Sequence, residues 1–325
     1  MAVSHGVRRW MCTGAAMMMA ATAAHAQTFP TRAVRVVIPY AVGGSTDVVF
    51  RILQPKVGEY LGQQVLIDNR PGGAATIGMD LAAKAPPDGY TLGVANIAFG
   101  ANPSLMPKMP YDSERDFAPV TLVTLVTMVL AVHPSVPARS VQALIALAQA
   151  KPGALNYGSA GNASANHLAT ELFKYMTHTN LVHVPYKGGG PAVVSIVAGE
   201  TSALFATIPS SLPHFKTGKL IGLGVSSGKR NAALPDVPSI AEAGVPGYEA
   251  YEWQGLMAPA GTPPAVVKRL QQDFAKALAL PDIRERLASL GADPVGSTPE
   301  ELAAFIKREF VNWGKVVREA NIKIE

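Results

Sequence analysis

Apolar positions recur at two alternating spacings along most of the chain, and this pattern predicts strands and helices in turn. A β-branched run at 34–39 indicates a buried strand, and a run at 46–61 places its apolar residues on one face of a helix. A strand at 64–68, a helix at 77–85 and a strand at 89–96, after a "PPDG" turn, complete a βαβαβ series. Such a series predicts a parallel sheet with right-handed crossovers.

The second half of the chain repeats this alternation. A β-rich run at 120–132 exceeds an ordinary strand in length and is expected to carry the chain from one lobe into another. Helices are then predicted at 140–150, 164–177 and 190–198, and strands near 155–158, 181–184, 203–206 and 219–226. The segment "QGLMAP" indicates one more strand, and the tail is predicted to be helical. The length of 325 residues suits two lobes of about 150 residues each.

Two helices carry specific signals at known positions. In "STPEELAAFI" the spacing predicts Thr298 as N-cap, Pro299 as the first helical residue and Glu301 as its capping-box partner. In the helix at 46–61, Pro55 removes one backbone hydrogen bond and crowds the carbonyl of Arg51, so a kink or a break is expected there.

The N-terminal residues have the pattern of an export signal. Arg8 and Arg9 precede an apolar stretch at 11–24, and "AHA" at 24–26 is an A-x-A cleavage pattern. We therefore expect a signal peptide at 1–26, a mature chain beginning near Gln27, and a periplasmic location. Ordinary secretion is favoured over twin-arginine export, because the twin-arginine match is poor.

Composition excludes several classes of function. Cys12 is the only cysteine and lies in the predicted signal peptide, so no disulfide, thiol nucleophile or cysteine-ligated metal is expected. Loss of the two arginines lowers the formal charge from +5 to +3, and no run of basic residues is present. Nucleic acid is therefore a poor candidate for the partner.

Candidate catalytic patterns lack their partners. "GVSSG" at 224–228 matches a nucleophile elbow around Ser226, but every histidine precedes it, so an exported serine hydrolase is disfavoured. His178 and His183 do not have the spacing of a helical metal-binding pair. "GGG" at 188–190 lacks the context of a dinucleotide site. We expect no enzyme activity, cofactor or metal.

Two strand-to-helix loops are rich in small polar residues. They are "GGSTD" at 43–47 and the start of "YGSAGNASANHLATELF" at 157–173. Each can offer backbone N–H groups and the positive end of a helix dipole to an anion. Ligands of open α/β sheets bind at such strand ends. Simple helix capping is the alternative interpretation of either loop alone.

These loops belong to a set of motifs that resembles a known family, the substrate-binding proteins of tripartite tricarboxylate transporters, or Bug family. The motifs follow one another in family order through nearly the whole mature chain. They are "FPTRAVRVVIPYAVGGSTDVVFR", "LIDNRPGGAATIG", "PPDGYTL", "YGSAGNASANHLATELF", "HVPYKGGGPA", "LPDVPSIAEAGVPGYE", "APAGTPPAVV" and "GSTPEELAAFI".

The resemblance implies an α/β fold of the type II periplasmic-binding-protein, or Venus flytrap, kind with two lobes and two hinge strands. Residues 27–127 plus 249–325 would form the first lobe and residues 128–248 the second. The implied ligand is a small carboxylate, such as a di- or tricarboxylate, an acidic amino acid or an aromatic acid. A monomer that delivers ligand to membrane transporter subunits is expected. A sensor that presents its closed form to a membrane receptor or kinase remains an alternative.

The resemblance also implies ligand contacts at matching positions in both lobes. In the first lobe these are Tyr40, Gly43, Gly44, Ser45, Thr46, Asp47 and Asn96. In the second lobe they are Ser159, Ala160, Gly161, Asn162, Ser164 and Thr207.

The chain departs from the family pattern near these positions. In "ANIAFGANPSL", Ala98 and Phe99 stand where threonine and histidine are common, and in "FATI" only Thr207 is polar. We interpret these changes as making the pocket more apolar, which favours an aromatic or partly apolar acid.

Overall fold

The first half of the protein is a parallel sheet built from short buried strands. The computed structural model describes residues 29–323, and all strands and helices belong to the unit that begins at Arg32. The predicted signal peptide lies outside the described residues. Here the elements are β1 (Val34–Ile38), α1 (Ser45–Leu61), β2 (Val65–Asn69), α2 (Thr76–Ala83), β3 (Thr91–Ala95) and α3 (Ile97–Leu105). β1 pairs in parallel with both β2 and β3, which confirms the predicted parallel series.

A single long strand, β4 (Phe117–Val132), takes part in both halves of the sheet. Up to Thr127 it pairs antiparallel with β9 (Tyr251–Pro259), and from Met128 it pairs with β7 (Ala203–Thr207) and β8 (Ile221–Val225). The change of partner divides the sheet into a first lobe, which holds β1–β3 and β9, and a second lobe, which holds β7 and β8. The predicted residue boundaries of the lobes stay a prediction.

The second lobe repeats the alternating pattern. Its elements are α4 (Val141–Ala150), β5 (Asn156–Ser159), α5 (Ala165–Thr177), β6 (Val182–Pro185), α6 (Gly189–Val197), β7, α7 (Ile208–Lys216) and β8. β5 is parallel to both β6 and β7. After β9 the chain adds α8 (Pro264–Ala279), α9 (Pro281–Ser289), β10 (Ala292–Pro294) and α10 (Pro299–Glu319). No helix within residues 29–323 is long and apolar enough to cross a membrane.

The local sequence signals predicted the Thr298 cap correctly, but they gave a break that does not form and left out two helices. The capping box is confirmed, since Thr298 Oγ1 accepts from the Glu301 amide at 3.2 Å and the Glu301 carboxylate accepts from the Thr298 amide. Of the kink or break expected at Pro55, the break is absent: α1 runs unbroken, with Leu53 and Val57 buried on either side, and the kink stays a prediction. Helices α3 and α7 form despite internal prolines, in segments where no helix was predicted. The burial of apolar side chains outweighs the low helix propensity of proline in these two segments.

The carboxylate of Glu309 joins helix α10 to the sheet by hydrogen bonds. Glu309 accepts hydrogen bonds from the indole nitrogens of Trp253 on β9, at 2.7 Å, and of Trp313 on its own helix, at 3.1 Å. Trp253 is almost fully buried. A buried indole N–H without an acceptor is costly, so this pair of bonds ties the helix to the strand.

We expect Glu309→Ala to lower the free energy of unfolding by about 2–4 kcal/mol, because two indole donors lose their acceptor. Glu309→Gln keeps an acceptor oxygen and is expected to cost less. Lys307→Ala, at an exposed position of the same helix, is the control and should change stability by less than about 0.5 kcal/mol. Urea unfolding followed by tryptophan fluorescence measures all three; equal stability of Glu309→Ala and Lys307→Ala would contradict this role.

Candidate functional site

The loop between β1 and α1 is held by a buried carboxylate. Asp47 Oδ2 accepts from the Gly43 amide at 2.9 Å and from Arg51 Nε at 2.9 Å. Burial acts to raise the pKa of Asp47, but the hydrogen bonds from Arg51, Gly43 and Asn69 prevail and leave that pKa below its ordinary value. Gly43 has φ +80°, which favours glycine. Asp47 therefore shapes the loop and neutralises Arg51.

The N-terminus of α1 lacks a side-chain cap. Its N-cap residue is Gly44, and the first helical amide with a backbone partner is that of Val48, which bonds to the Gly44 carbonyl. Among residues 29–323, the amides of Ser45, Thr46 and Asp47 have no protein acceptor. Gly44 is exposed. The positive end of the helix dipole is consequently open to an anion.

Beneath these amides lies a carboxylate that the sequence analysis did not identify. Glu252 Oε1, on β9, accepts a short hydrogen bond from Ser45 Oγ and a second from Thr46 Oγ1 at 3.4 Å. Burial raises the pKa of Glu252, and the two hydroxyl bonds oppose that rise. A strand 207 residues away in sequence supplies this group, so no local motif marks it.

The remaining first-lobe candidates lie at the same edge of the sheet. Asn96 follows β3, the neighbour of β1, and caps α3 by accepting from the Ala98 amide at 2.9 Å. The buried Tyr40 hydroxyl makes no hydrogen bond of ordinary geometry within the described residues. Burial raises the pKa of Tyr40 well above its ordinary value, and the nearby charge of Glu252 raises it further.

The second-lobe loop is closed by its own side chains. Ser159 has no exposed surface; its Oγ accepts from the Gly161 amide at 3.1 Å and lies 2.6 Å from His183 Nε2. Ser164 caps α5 by accepting from the His167 amide at 3.4 Å. Ser159 therefore shapes this loop instead of presenting its hydroxyl at the surface. Ala160, Gly161, Asn162 and Ser164 are partly exposed.

Gly161 and Thr207 are two further predicted ligand contacts in the second lobe. Gly161 has φ +117°, and a Cβ there would lie 3.3 Å from the Tyr186 carbonyl oxygen. Thr207 ends β7, the neighbour of β5, and its Oγ1 is 2.9 Å from Ser210 Oγ. Each lobe thus gathers its candidates at the carboxyl ends of adjacent parallel strands. Helix α5 contacts α3 and β9 of the first lobe.

Two histidines stack beneath the second-lobe loop. The rings of His167 and His183 lie 4.2 Å apart, and His183 also stacks on Tyr157 at 4.9 Å. Burial lowers the pKa of His167 to about 3, helped by His183 and Lys174. Burial likewise lowers the pKa of His183 to about 4, with Glu171 opposing and Lys174 assisting. Both rings are therefore neutral near pH 7.

These pKa values predict acid sensitivity of the fold. Because each histidine binds its proton more readily when unfolded, stability is retained above about pH 6.5 and is lost as the pH falls toward 4 and 3. Between pH 7 and 5 we expect a loss of about 1–2 kcal/mol per histidine.

Urea unfolding at both pH values tests this expectation. His167→Gln and His183→Gln should each reduce the loss. The control is His178→Asn, at an exposed position with φ +52° that asparagine tolerates, and it should leave the loss unchanged. The same pH dependence in all four proteins would contradict the assignment.

Other sequence-based candidates lie in the interior. Ser226 is fully buried and its Oγ accepts from the Met128 amide at 2.9 Å, so it is not poised as a nucleophile. The Phe99 ring packs among Tyr111, Phe117 and Phe310. The interpretation that Phe99 makes the pocket apolar is therefore wrong, because its side chain belongs to the first-lobe core.

Within the described residues, neither a metal-ion cluster nor the surface groove at 103–116 involves the predicted ligand contacts. Among residues 29–323, no three histidine, cysteine, aspartate or glutamate side chains are grouped so as to hold a metal ion. A surface groove of about 780 Å³ is lined by residues of the 103–116 segment and by Phe310. It includes none of the predicted ligand contacts.

Two proteins of known sequence are similar to this chain over almost its whole length. The chain is 39% identical over 316 residues to the UPF0065 protein in the tcbD-tcbE intergenic region of Pseudomonas sp., covering 96% of this chain and 94% of that one. It is 38% identical over 304 residues to protein BugT of Bordetella pertussis, covering 92% and 93%.

Solved structures share the fold. An R. palustris protein solved with adipate is 36% identical, with TM-score 0.85, covering 91% of this chain and all of that one. MatC from Rhodopseudomonas palustris, solved with malate, is 33% identical, with TM-score 0.82, covering 89% of this chain and all of that one. The periplasmic binding protein BugD is 31% identical, with TM-score 0.83, covering 91% of this chain and all of that one. The predicted periplasmic-binding-protein fold is confirmed.

The family model described as "Tripartite tricarboxylate transporter family receptor" matches residues 49–322, nearly the whole described chain. The motifs, the fold and the relatives agree with that match. The chain therefore belongs to the tripartite tricarboxylate transporter family of receptors, which are periplasmic solute-binding proteins.

Proposed function

We propose that this protein captures a small carboxylate between the loop at 40–47 and the loop at 159–164, for delivery to a tripartite tricarboxylate-type transporter. The observation that carries the proposal is the open N-terminus of α1, where three successive amides lack an acceptor. Adipate and malate, present in two solved relatives, are ligands of this chemical class. The capture step needs no catalysis and no cofactor.

The affinity required is within reach of such a site. A hydrogen bond to a charged group contributes about 1.5–3 kcal/mol. Several of them, less the cost of ordering, reach the roughly −8 kcal/mol of micromolar binding. The donors we assign are chiefly the backbone amides of Ser45, Thr46 and Asp47 in the first lobe, and Ala160, Gly161 and Asn162 contact the ligand in the second. Tyr40, Asn96, Ser164 and Thr207 border the ligand.

The proposal also includes the boundaries of the two lobes and the removal of the export signal. Residues 27–127 plus 249–325 form one lobe and residues 128–248 the other; the change of partner along β4 after Thr127 supports this division. Closure of the two lobes would bring the two loops to opposite ends of the ligand. Residues 1–26 direct export and are removed.

A branched side chain at Gly44 tests the first-lobe loop cleanly. Gly44 has φ −71°, and a Cβ there would meet only the Ala41 carbonyl oxygen, at 3.4 Å. Gly44→Val should therefore fold, with a loss of less than about 1 kcal/mol in stability. It should weaken adipate or malate binding at least tenfold, because the branch blocks close approach to the amides, and Gly44→Ala should have an intermediate effect.

Calorimetry and thermal shift with adipate, malate and their amides measure this effect. At a thousand times Kd a true ligand adds about 4 kcal/mol, which raises Tm on the order of 10 °C. The uncharged amides should raise it little. An unchanged Kd in Gly44→Val would remove the ligand from this loop, and equal binding of the amides would argue against carboxylate recognition.

Export is tested on the protein expressed from its own start. We expect the periplasmic fraction to contain a chain whose N-terminus is Gln27, because "AHA" at 24–26 precedes it. Intact-mass measurement of that fraction reads the cleavage position directly. Retention of Met1 on the ligand-binding protein would contradict the processed form.

A further inference from the structure

Glu252 stands directly behind the open amides of α1. Its Oε1 accepts from the hydroxyls of Ser45 and Thr46, the first two residues of that helix. While Glu252 is ionised it can only accept, so both hydroxyl hydrogens are directed toward it. Neither hydroxyl can then donate to a ligand carboxylate at the amides.

No cation compensates Glu252 among the described residues. Arg51, on the same helix as Ser45, is paired with Asp47. The salt bridges of residues 29–323 include none to Glu252. A carboxylate that is 9% exposed and lacks a positive partner sits in an unfavourable charge state.

No cation on the elements packed against β9 acts on this group. On α10, which packs on β9 at Trp253, Glu309 accepts from that indole and Arg308 lies over the Phe305 ring. β3, β4 and α3 carry no charged residues, and β4 places Val126 opposite Glu252. The titratable groups on the remaining neighbours engage one another: Asp80 of α2 with Lys84, and Glu171 of α5 with Lys174 and Tyr157. His167 of α5 accepts from the Ala163 amide. From the β1–α1 loop, Tyr40 faces Glu252.

A ligand carboxylate at the α1 amides would bring a second negative charge close to the unpaired carboxylate of Glu252. Like charges sharing a site favour protonation of one of them. A proton taken from solvent by Glu252 converts it to a donor toward Ser45 Oγ. Ser45 is then free to turn its own hydrogen to the ligand, and the bound site gains no net charge.

We propose that Glu252 takes up one proton when the site captures a carboxylate, so that ligand capture is coupled to protonation of this residue. The inference rests on the proposed function, because it places the ligand at the α1 amides. Burial already raises the pKa of Glu252 without ligand, which lowers the cost of this uptake. Glu252 is thereby a specificity-determining residue: it disfavours anions unless a proton accompanies them.

Adipate binding to the mature protein tests the coupling. Calorimetry between about pH 6.5 and 8, where adipate is ionised, in two buffers of different ionisation enthalpy gives the number of protons taken up. We expect an uptake approaching one, and an affinity that falls up to tenfold per pH unit as the pH rises.

Variants identify the group. Glu252→Gln mimics the protonated acid, so it should take up no proton and should bind with a nearly pH-independent Kd. Glu249→Gln, at an exposed carboxylate three residues earlier, is the matched control and should behave as the parent protein. Uptake that persists in Glu252→Gln would overturn the proposal, and so would tight binding without uptake in the parent protein.

A measurement without ligand separates this proposal from the proposed function. A raised pKa in the folded state means that stability is present below the ordinary value of 4.5 and is lost as the pH rises through the folded pKa. The parent protein should therefore lose stability relative to Glu252→Gln on going from pH 4.5 to 8. Parallel curves would overturn the proposal. Absence of binding by both adipate and malate at every pH would instead count against the proposed function.

Discussion

The hydrogen bonding of β4 to two sets of partners sets the positions of the two sheets within residues 32–323. One unbroken strand of 16 residues holds β9 along its first part and β7 and β8 along its last. Every residue from Met128 to Val132 is buried, so a slip by one position would exchange side chains between the two packed faces of the strand. The two parallel sheets are consequently held at set positions, and so are the loops at their carboxyl ends.

The two loops differ in how their hydrogen-bond donors are used. In the first lobe a glycine N-cap leaves amides open, and Asp47 beneath the turn keeps Arg51 from supplying a free charge. In the second lobe Ser159 and Ser164 close the loop internally, and neutral histidines support it from below. The first-lobe loop therefore has amides without a protein acceptor among residues 29–323, whereas the second-lobe loop is closed by its own hydrogen bonds.

Sequence predicted those parts of the structure that depend on local pattern. The alternation, the parallel order and the Thr298 cap were readable because each depends on neighbours in the chain. Helix α3 was not, because Gly100 and Pro103 weaken its local signal while burial of Phe99 and its neighbours holds it. Glu252 was not readable either, since its role arises only where β9 passes beneath α1. The side chain of Asp47 holds the loop by accepting from Gly43 and Arg51, and its ligand contact stays a prediction.

Binding through backbone dipoles differs physically from binding through a fixed cation. A lysine or arginine attracts any anion over a Debye length, whereas a helix N-terminus acts only within about its first turn. At the site we propose, a carboxylate would therefore have to fit against the Gly44–Asp47 turn before it gained stabilisation, and the carboxylate of Glu252 behind that turn would oppose its binding. Selectivity of the proposed site would then come from shape and from the charge balance at Glu252, because Arg51, the cation beside the turn, is paired with Asp47.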